Sequence, residues 1–111
     1  MTKIIESKIT IDVLLDENRV PEKLQWSAPD GGIDQQPTKA VFLSVWDPSN
    51  QEALRIDLWT KDMPVDEMKV FFYQTLASMA NTYERATADE TLSQSMRDFC
   101  EYFKVKSEEQ V

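Results

Sequence analysis

The hydrophobic pattern of the chain changes period once, near residue 60. Before that point apolar and polar positions alternate. After it, apolar positions recur at intervals of three and four. In residues 8–15, Ile9, Ile11, Val13 and Leu15 alternate with Lys8, Thr10 and Asp12, which predicts a half-buried strand. Asp16-Glu17-Asn18-Arg19 supplies a polar turn, and Pro21 marks a strand entry or edge. Leu24, Trp26 and Ala28 then alternate with Lys23, Gln25 and Ser27, so a second strand is expected to pair back as a hairpin. The stretch PDGGIDQQPT (29–38) holds both glycines of the chain. It reads as the longest loop, where positive φ angles should be concentrated. In KAVFLSVW (39–46) both faces are apolar, with Val41, Leu43 and Val45 in one row and Ala40, Phe42 and Trp46 in the other. Asp47-Pro48-Ser49-Asn50 is a turn with proline at its second position. A fourth strand over 53–60 is expected to bury Leu54, Ile56 and Leu58 and to show Arg55, Asp57 and Trp59 on the opposite side.

The two periods meet in DLWTKDMPVDEMKVFFYQTL (57–76). Trp59 closes the strand, the backbone turns at Met63-Pro64, and the longest helix begins. Proline is tolerated in a first helical turn because its missing N–H would have no intrahelical partner. Val65, Met68, Phe72, Leu76, Met79 and Tyr83 then place the apolar bulk on one helix face. Asp66 and Glu67 stand where the helix dipole favours negative charge. This helix is expected to reach about Arg85. A second is expected after Thr87-Ala88-Asp89-Glu90, a capping-box pattern, with Leu92, Met96, Phe99 and Phe103 as its apolar stripe. The polar tail KVKSEEQV is expected to be mobile. Strands first and helices last predict an α+β domain: a four-stranded, mainly antiparallel sheet with two C-terminal helices packed on one face. One domain over residues 1–111 is expected, with 1–7 and 105–111 as flexible ends.

Composition narrows the function classes. Hydrophobic residues make up 41% and charged residues 29% of the 111, which is ordinary for a folded chain and argues against wholesale disorder. The net charge of −8 repels phosphate backbones and anionic lipid, so neither nucleic acid nor direct membrane insertion is expected. Its simplest meaning is solubility. MTKIIESKITIDV lacks the apolar core of a secretory signal, and no stretch approaches the ~20 apolar residues of a spanning helix. The expected location is cytoplasmic.

The absence of histidine removes His-assisted nucleophiles and His-ligated metals. A single cysteine, Cys100, removes an intrachain disulfide and CxxC chemistry; beside Phe99 on a helix it reads as an apolar filler. Gly31-Gly32 reads as a turn, since no phosphate-binding glycine motif occurs, and no cofactor is expected. Asp57, Asp62, Asp66 and Glu67 could supply a carboxylate pair or a divalent-cation site near Asp57, Asp62 and Glu67. Helix capping and solubility account for most of them more simply. The stronger lead is the sheet face carrying Phe42, Trp46, Arg55, Asp57 and Trp59, with Thr10, Asp12, Gln25 and Ser27 as a polar rim. Exposed aromatics within a polar rim resemble a protein interface, including a symmetric self-contact.

Six segments together resemble the gliding motility protein GldC family of Bacteroidetes-type bacteria. They are VPEKLQW (20–26), PDGGI (29–33), LSVWD (43–47), LRIDLWTKDMPVDEM (54–68), FFYQTLASMANTYERAT (71–87) and MRDFCEYF (96–103). The resemblance implies a cytoplasmic accessory protein of surface gliding, in a system intertwined with type IX secretion. It transfers no catalytic residue. The expected function is thus a non-enzymatic protein-binding or assembly module, homo-oligomeric, with other gliding or secretion proteins as partners. A SecB-like export chaperone shares the order of four strands then two helices and stands as the alternative, by analogy of fold. A carboxylate-based enzyme is the third reading.

Overall fold

The computed structural model describes residues 2–109. Its element order is β1 (Thr10–Leu15), β2 (Pro21–Ala28), a short 3₁₀ turn (Pro29–Gly31), β3 (Ile33–Thr38), β4 (Ala40–Asp47), β5 (Glu52–Trp59), α1 (Val65–Thr87) and α2 (Glu90–Glu109). The chain divides into a β unit, Met1–Met63, and a helical unit, Pro64–Val111. The α+β class and the C-terminal helix pair are as the sequence predicts. The sheet is different. Five strands form a three-stranded antiparallel sheet, β1-β2-β3, and a two-stranded antiparallel ribbon, β4-β5.

The additional strand lies inside the stretch read as a loop. β3 contains Pro37, which cannot donate to a ladder, and β3 is an edge strand, where proline is tolerated. The 3₁₀ turn places Pro29 first and ends on Gly32 at φ 74°, whose N–H donates to the Pro29 carbonyl at 3.0 Å. Beyond it the pairing shifts between Trp26 and Ala28. Gln35 takes φ 45° there and donates its N–H to Ser27 Oγ at 2.9 Å, which gives the displaced donor a partner. Positive φ is not confined to this stretch, because Arg19, Gln51 and Ala88 also adopt it. In the β1–β2 turn the Asp16 carboxylate accepts from the N–H groups of Asn18 (2.8 Å) and Val20 (2.9 Å). That local closure supports the left-handed residue Arg19.

Lys39 separates β3 from β4, which belong to different sheets. Its carbonyl accepts from the Thr60 N–H at 2.8 Å, while Lys61 N–H reaches the Pro21 carbonyl at 3.2 Å. Lys61 Nζ also meets Asp16 at 2.7 Å. Residues 60 and 61 thereby fasten the end of β5 to the bend and to the start of β2. Among the described residues of the β unit, Thr60 and Leu24 are the buried side chains, Leu24 being 2% exposed.

In the helical unit Pro64 stands just outside α1 with extended backbone, and its carbonyl accepts from Met68 N–H at 2.9 Å. α1 ends on Ala88 in the left-handed conformation, its N–H bonded to the Glu84 carbonyl at 2.8 Å. The capping box expected at Thr87 and Glu90 is not made. Thr87 completes α1 and donates its hydroxyl to the Tyr83 carbonyl at 2.8 Å. Asp89 caps α2 instead, accepting the Leu92 N–H at 2.9 Å. The two helices are tied by Arg97, which contacts Glu84 (3.2 Å) and Asn81 (3.0 Å), and by Tyr73, which donates to Glu101 at 3.0 Å. α2 continues through the polar segment to Glu109. The flexible ends expected of the chain extend to Met1, Gln110 and Val111, which lie outside the described residues.

Two outcomes follow from this arrangement. Leu24→Ala should cost about 2–4 kcal/mol in urea unfolding, as a fully buried leucine does; Leu14→Ala, half exposed on β1, should cost far less. The Asp16–Lys61 pair should also show in the pH profile. The Lys61 hydrogen bond, helped by the N–H groups of Val20 and Asn18, holds the Asp16 carboxyl below its ordinary 3.8. Its contribution is therefore present above that value and lost as pH falls through the lowered one. Asp16 in turn raises Lys61 above 10.5, so that contribution is present below 10.5 and lost as pH rises through the raised value. Asp16→Asn should lower Tm at neutral pH and flatten its acid limb. A variant profile superimposable on the parent's would show that the pair adds nothing.

Candidate functional site

The β4–β5 ribbon is built by strict alternation across a turn that its own side chains close. Asp47 accepts from Ser49 N–H at 3.0 Å and from the Asn50 amide at 2.9 Å. The register then pairs Ala40 with Trp59, Phe42 with Asp57, Ser44 with Arg55 and Trp46 with Ala53. Paired residues share a face in an antiparallel ladder. Phe42, Trp46, Arg55, Asp57 and Trp59 therefore lie on one side of the ribbon, as the sequence reading grouped them.

Trp46 and Trp59 are 62% and 52% exposed. Six residues of β4 separate Trp46 from Ala40, the partner of Trp59, so the two indoles stand roughly 20 Å apart along the ribbon. Between them the Arg55 guanidinium lies 5.9 Å from the Phe42 ring centre and 2.7 Å from the Asp57 carboxylate. Stacking and the ion pair hold its planar fork against the sheet. The pair is half exposed, so its value to fold stability is small. The arrangement offers two apolar anchors and a fixed charged pair, a combination suited to holding a protein surface.

The polar rim is not where the sequence reading placed it. Thr10 pairs with Ser27, and Asp12 with Gln25, in the three-stranded sheet. Gln25 Nε2 donates to Asp12 at 3.2 Å. The rim of the aromatic face consists of Ser44, Arg55 and Asp57 within the ribbon itself. The second correction concerns the other face. Val41 pairs with Leu58, Leu43 with Ile56, and Val45 with Leu54, giving an aliphatic row read from sequence as core. Leu54 and Ile56 are instead 51% and 55% exposed. Alternation shows which residues share a face; it carries no information on what covers that face.

The carboxylates are engaged separately. Asp57 is held by Arg55. Asp62 accepts from Thr60 Oγ at 2.6 Å, and that hydrogen bond, with the Lys39 charge, keeps its carboxyl below the ordinary value. A lowered pKa makes a poor general acid near neutrality. Glu67 belongs to the first turn of α1, in the helical unit. Among the described residues no three carboxylate, thiol or imidazole groups converge as metal ligands do. Cys100 is buried, and burial pushes its thiol up, as befits a packing residue rather than a nucleophile. No helix among the described residues is long and apolar enough to cross a membrane.

No curated protein and no solved structure matches the chain. The family model described as gliding motility-associated protein GldC-like matches residues 21–109, from the start of β2 to the end of α2. The chain belongs to that family.

Proposed function

We propose that this GldC-like protein is a non-catalytic, cytoplasmic binding module of the gliding machinery. It works as a homo-oligomer and docks a gliding or type IX secretion component on the face of Phe42, Trp46, Arg55, Asp57 and Trp59. Family membership supplies the association with gliding motility. The observation that supports docking is the exposure of two indoles on either side of a fixed arginine. Tryptophan and arginine dominate binding energies because tryptophan buries a large rigid ring and arginine combines apolar stem, planar stacking and charge-assisted hydrogen bonds. Arg55 is already oriented by Phe42 and Asp57, so little further ordering is needed when a partner covers it. The net charge of −8 favours a partner with a basic surface and disfavours nucleic acid.

The exposed aliphatic row gives a second reading, a holdase for unfolded chains. Leu43, Val45, Leu54 and Ile56 offer apolar surface without charge, and such surface binds many sequences. The two readings use opposite sides of the ribbon and can be separated.

Crosslinking in gliding cells, followed by partner identification, should recover one defined component at fixed stoichiometry. Trp46→Ala or Trp59→Ala should weaken that capture by about tenfold or more, while Gln74→Ala on α1 leaves it unchanged. Undiminished capture by both tryptophan variants would refute the aromatic face as the docking site. Suppression of aggregation of several unrelated proteins, lost in Ile56→Ser and kept in Trp46→Ala, would favour the holdase instead.

A further inference from the structure

The backbone of the β4–β5 ribbon shows which of its groups the two strands use on each other. Thr60 N–H donates to the Lys39 carbonyl at 2.8 Å, one pair beyond Ala40 and Trp59 in the same register. Bonded and non-bonded pairs alternate along an antiparallel ladder. Val41, Leu43, Val45 and Asp47 therefore turn their N–H and C=O groups toward β5, while Ala40, Phe42, Ser44 and Trp46 turn theirs away from it. The Ala40 carbonyl agrees, since it accepts from the Thr38 hydroxyl at 3.2 Å. Among the described residues no further strand pairs with β4, and Leu43, Ser44, Val45 and Trp46 are all exposed. The other sheet edges are blunted. β3 contains Pro37, the β1 pairing shifts between Leu14 and Leu15, and the outer edge of β5 carries Arg55 and Asp57. β4 runs from Ala40 to Trp46 without charge, proline or register shift, the kind of edge on which another strand pairs.

We propose that β4 pairs antiparallel with β4 of a second copy of the chain, about a two-fold axis at Leu43, making one continuous sheet in the order β5-β4-β4-β5. A row of outward N–H and C=O groups at strand spacing takes an extended segment. The side chains of β4 select β4 itself. With the axis at Leu43, Lys39 of each copy lies beside Asp47 of the other. The charges that bracket the apolar run thus meet their opposites at both ends. On the aromatic face Trp46 lies beside Ala40 of the second copy, and Phe42 beside Ser44, large against small. On the other face Leu43 meets Leu43, and Val45 meets Val41. All residues set opposite one another on the aromatic face are ones with outward backbone groups, as bonded pairs require. Moving the axis by one residue removes the match. Centred on Phe42, Lys39 faces Val45 and the two Phe42 side chains oppose each other. Centred on Ser44, Asp47 faces Val41, and Ala40 faces Pro48, which has no N–H to donate. The pairing closes on itself and leaves as outer strands the two β5 edges, each guarded by Arg55 and Asp57. It also brings both aromatic faces to the same side of the sheet.

This pairing rests on the self-association included in the function proposed above and gives it a surface. Sedimentation equilibrium of the full chain should give twice the 12.9 kDa protomer mass or an even multiple of it. Ser44→Pro removes an N–H that points away from β5, so it spares the ladder within the protomer. By symmetry it deletes two bonds between copies and should raise the dissociation constant at least about tenfold. Ala53→Pro, whose lost N–H lies on the outer edge of β5, should keep the parent mass. Register is read separately, by a test that does not depend on the fold of the proline variant. In a Cys100→Ser background, Leu43→Cys sets two thiols across the axis in a non-bonded pair, with Cα atoms about 4.5 Å apart, within disulfide reach. Copper phenanthroline should therefore oxidise it to a covalent dimer. Val45→Cys in the same background leaves its thiols about 13 Å apart along the strands and should stay uncrosslinked. A parent chain that remains at one protomer mass up to about 100 µM would overturn the proposal. So would an unchanged dissociation constant in Ser44→Pro, or a disulfide formed as readily by Val45→Cys as by Leu43→Cys. Loss of partner capture in Ser44→Pro with the mass unaltered would assign the edge to a partner's strand and overturn it too. Trp59→Ala, on the far strand, should lower partner capture and leave the mass unchanged, so failure of docking and failure of self-pairing are told apart.

Discussion

The β unit depends on the seam made by Thr60 and Lys61. A two-stranded ribbon is marginal in water by itself, because each strand has one neighbour and neither face is closed. Here the last residues after β5 return to the bend at Lys39 and to the first residue of β2. Three groups meet at that point: the Lys39 carbonyl, the Pro21 carbonyl and the Asp16 carboxylate. The Asp16 carboxylate is held on its other oxygen by the N–H groups of Asn18 and Val20, so Lys61 meets an oxygen already fixed in place. Thr60 is buried although polar, and its hydroxyl is satisfied by Asp62, so burial leaves no orphaned group. The position of the indoles and of Arg55 follows from this fastening and from the turn at the ribbon's other end.

The chain has more apolar surface than its own units conceal. Buried apolar side chains among the described residues are Leu24, Ala80 and Cys100, and one of these three is large. Small domains are marginal even when they bury most of what they can. Surplus apolar surface of this kind is available for association. In this molecule the surplus has two characters. On the ribbon it is aromatic and mixed with a fixed ion pair on one side, aliphatic on the other. On the hairpin it is aliphatic and aromatic at helical spacing without charge. The first character suits selective recognition.

Much of this could be read from the chain. Alternation in 40–46 and 53–59 sorted Phe42, Trp46, Arg55, Asp57 and Trp59 onto one side because the period of a strand is two and the turn is short. Pro64 and the three-and-four spacing marked the start of α1. Family resemblance was legible in the long run from Leu54 to Met68. β3 was not, since Pro37 and the two glycines are loop signals in isolation and become compatible with a strand only at a sheet edge. The α2 cap was misplaced by two residues because Thr87 and Asp89 are both good caps, and the choice between them is made by where α1 stops. The exposure of Leu54 and Ile56 was not legible either, since no periodicity encodes the presence of a covering layer.

The turn between β4 and β5 has a consequence for which changes of chain length this fold could accept. Asp47 grips Ser49 and Asn50, and that loop fixes which rows of the two strands coincide. One extra residue there would advance β5 by a single step. Arg55 and Asp57 would then be carried among Leu43 and Val45, while Leu54 and Ile56 would move beside Phe42. Both surfaces would be lost together, although every original residue remained. The carboxylate of Asp47 and the length of the loop it closes are therefore constrained together, and an added residue would leave both surfaces intact only where it loops out of the ladder.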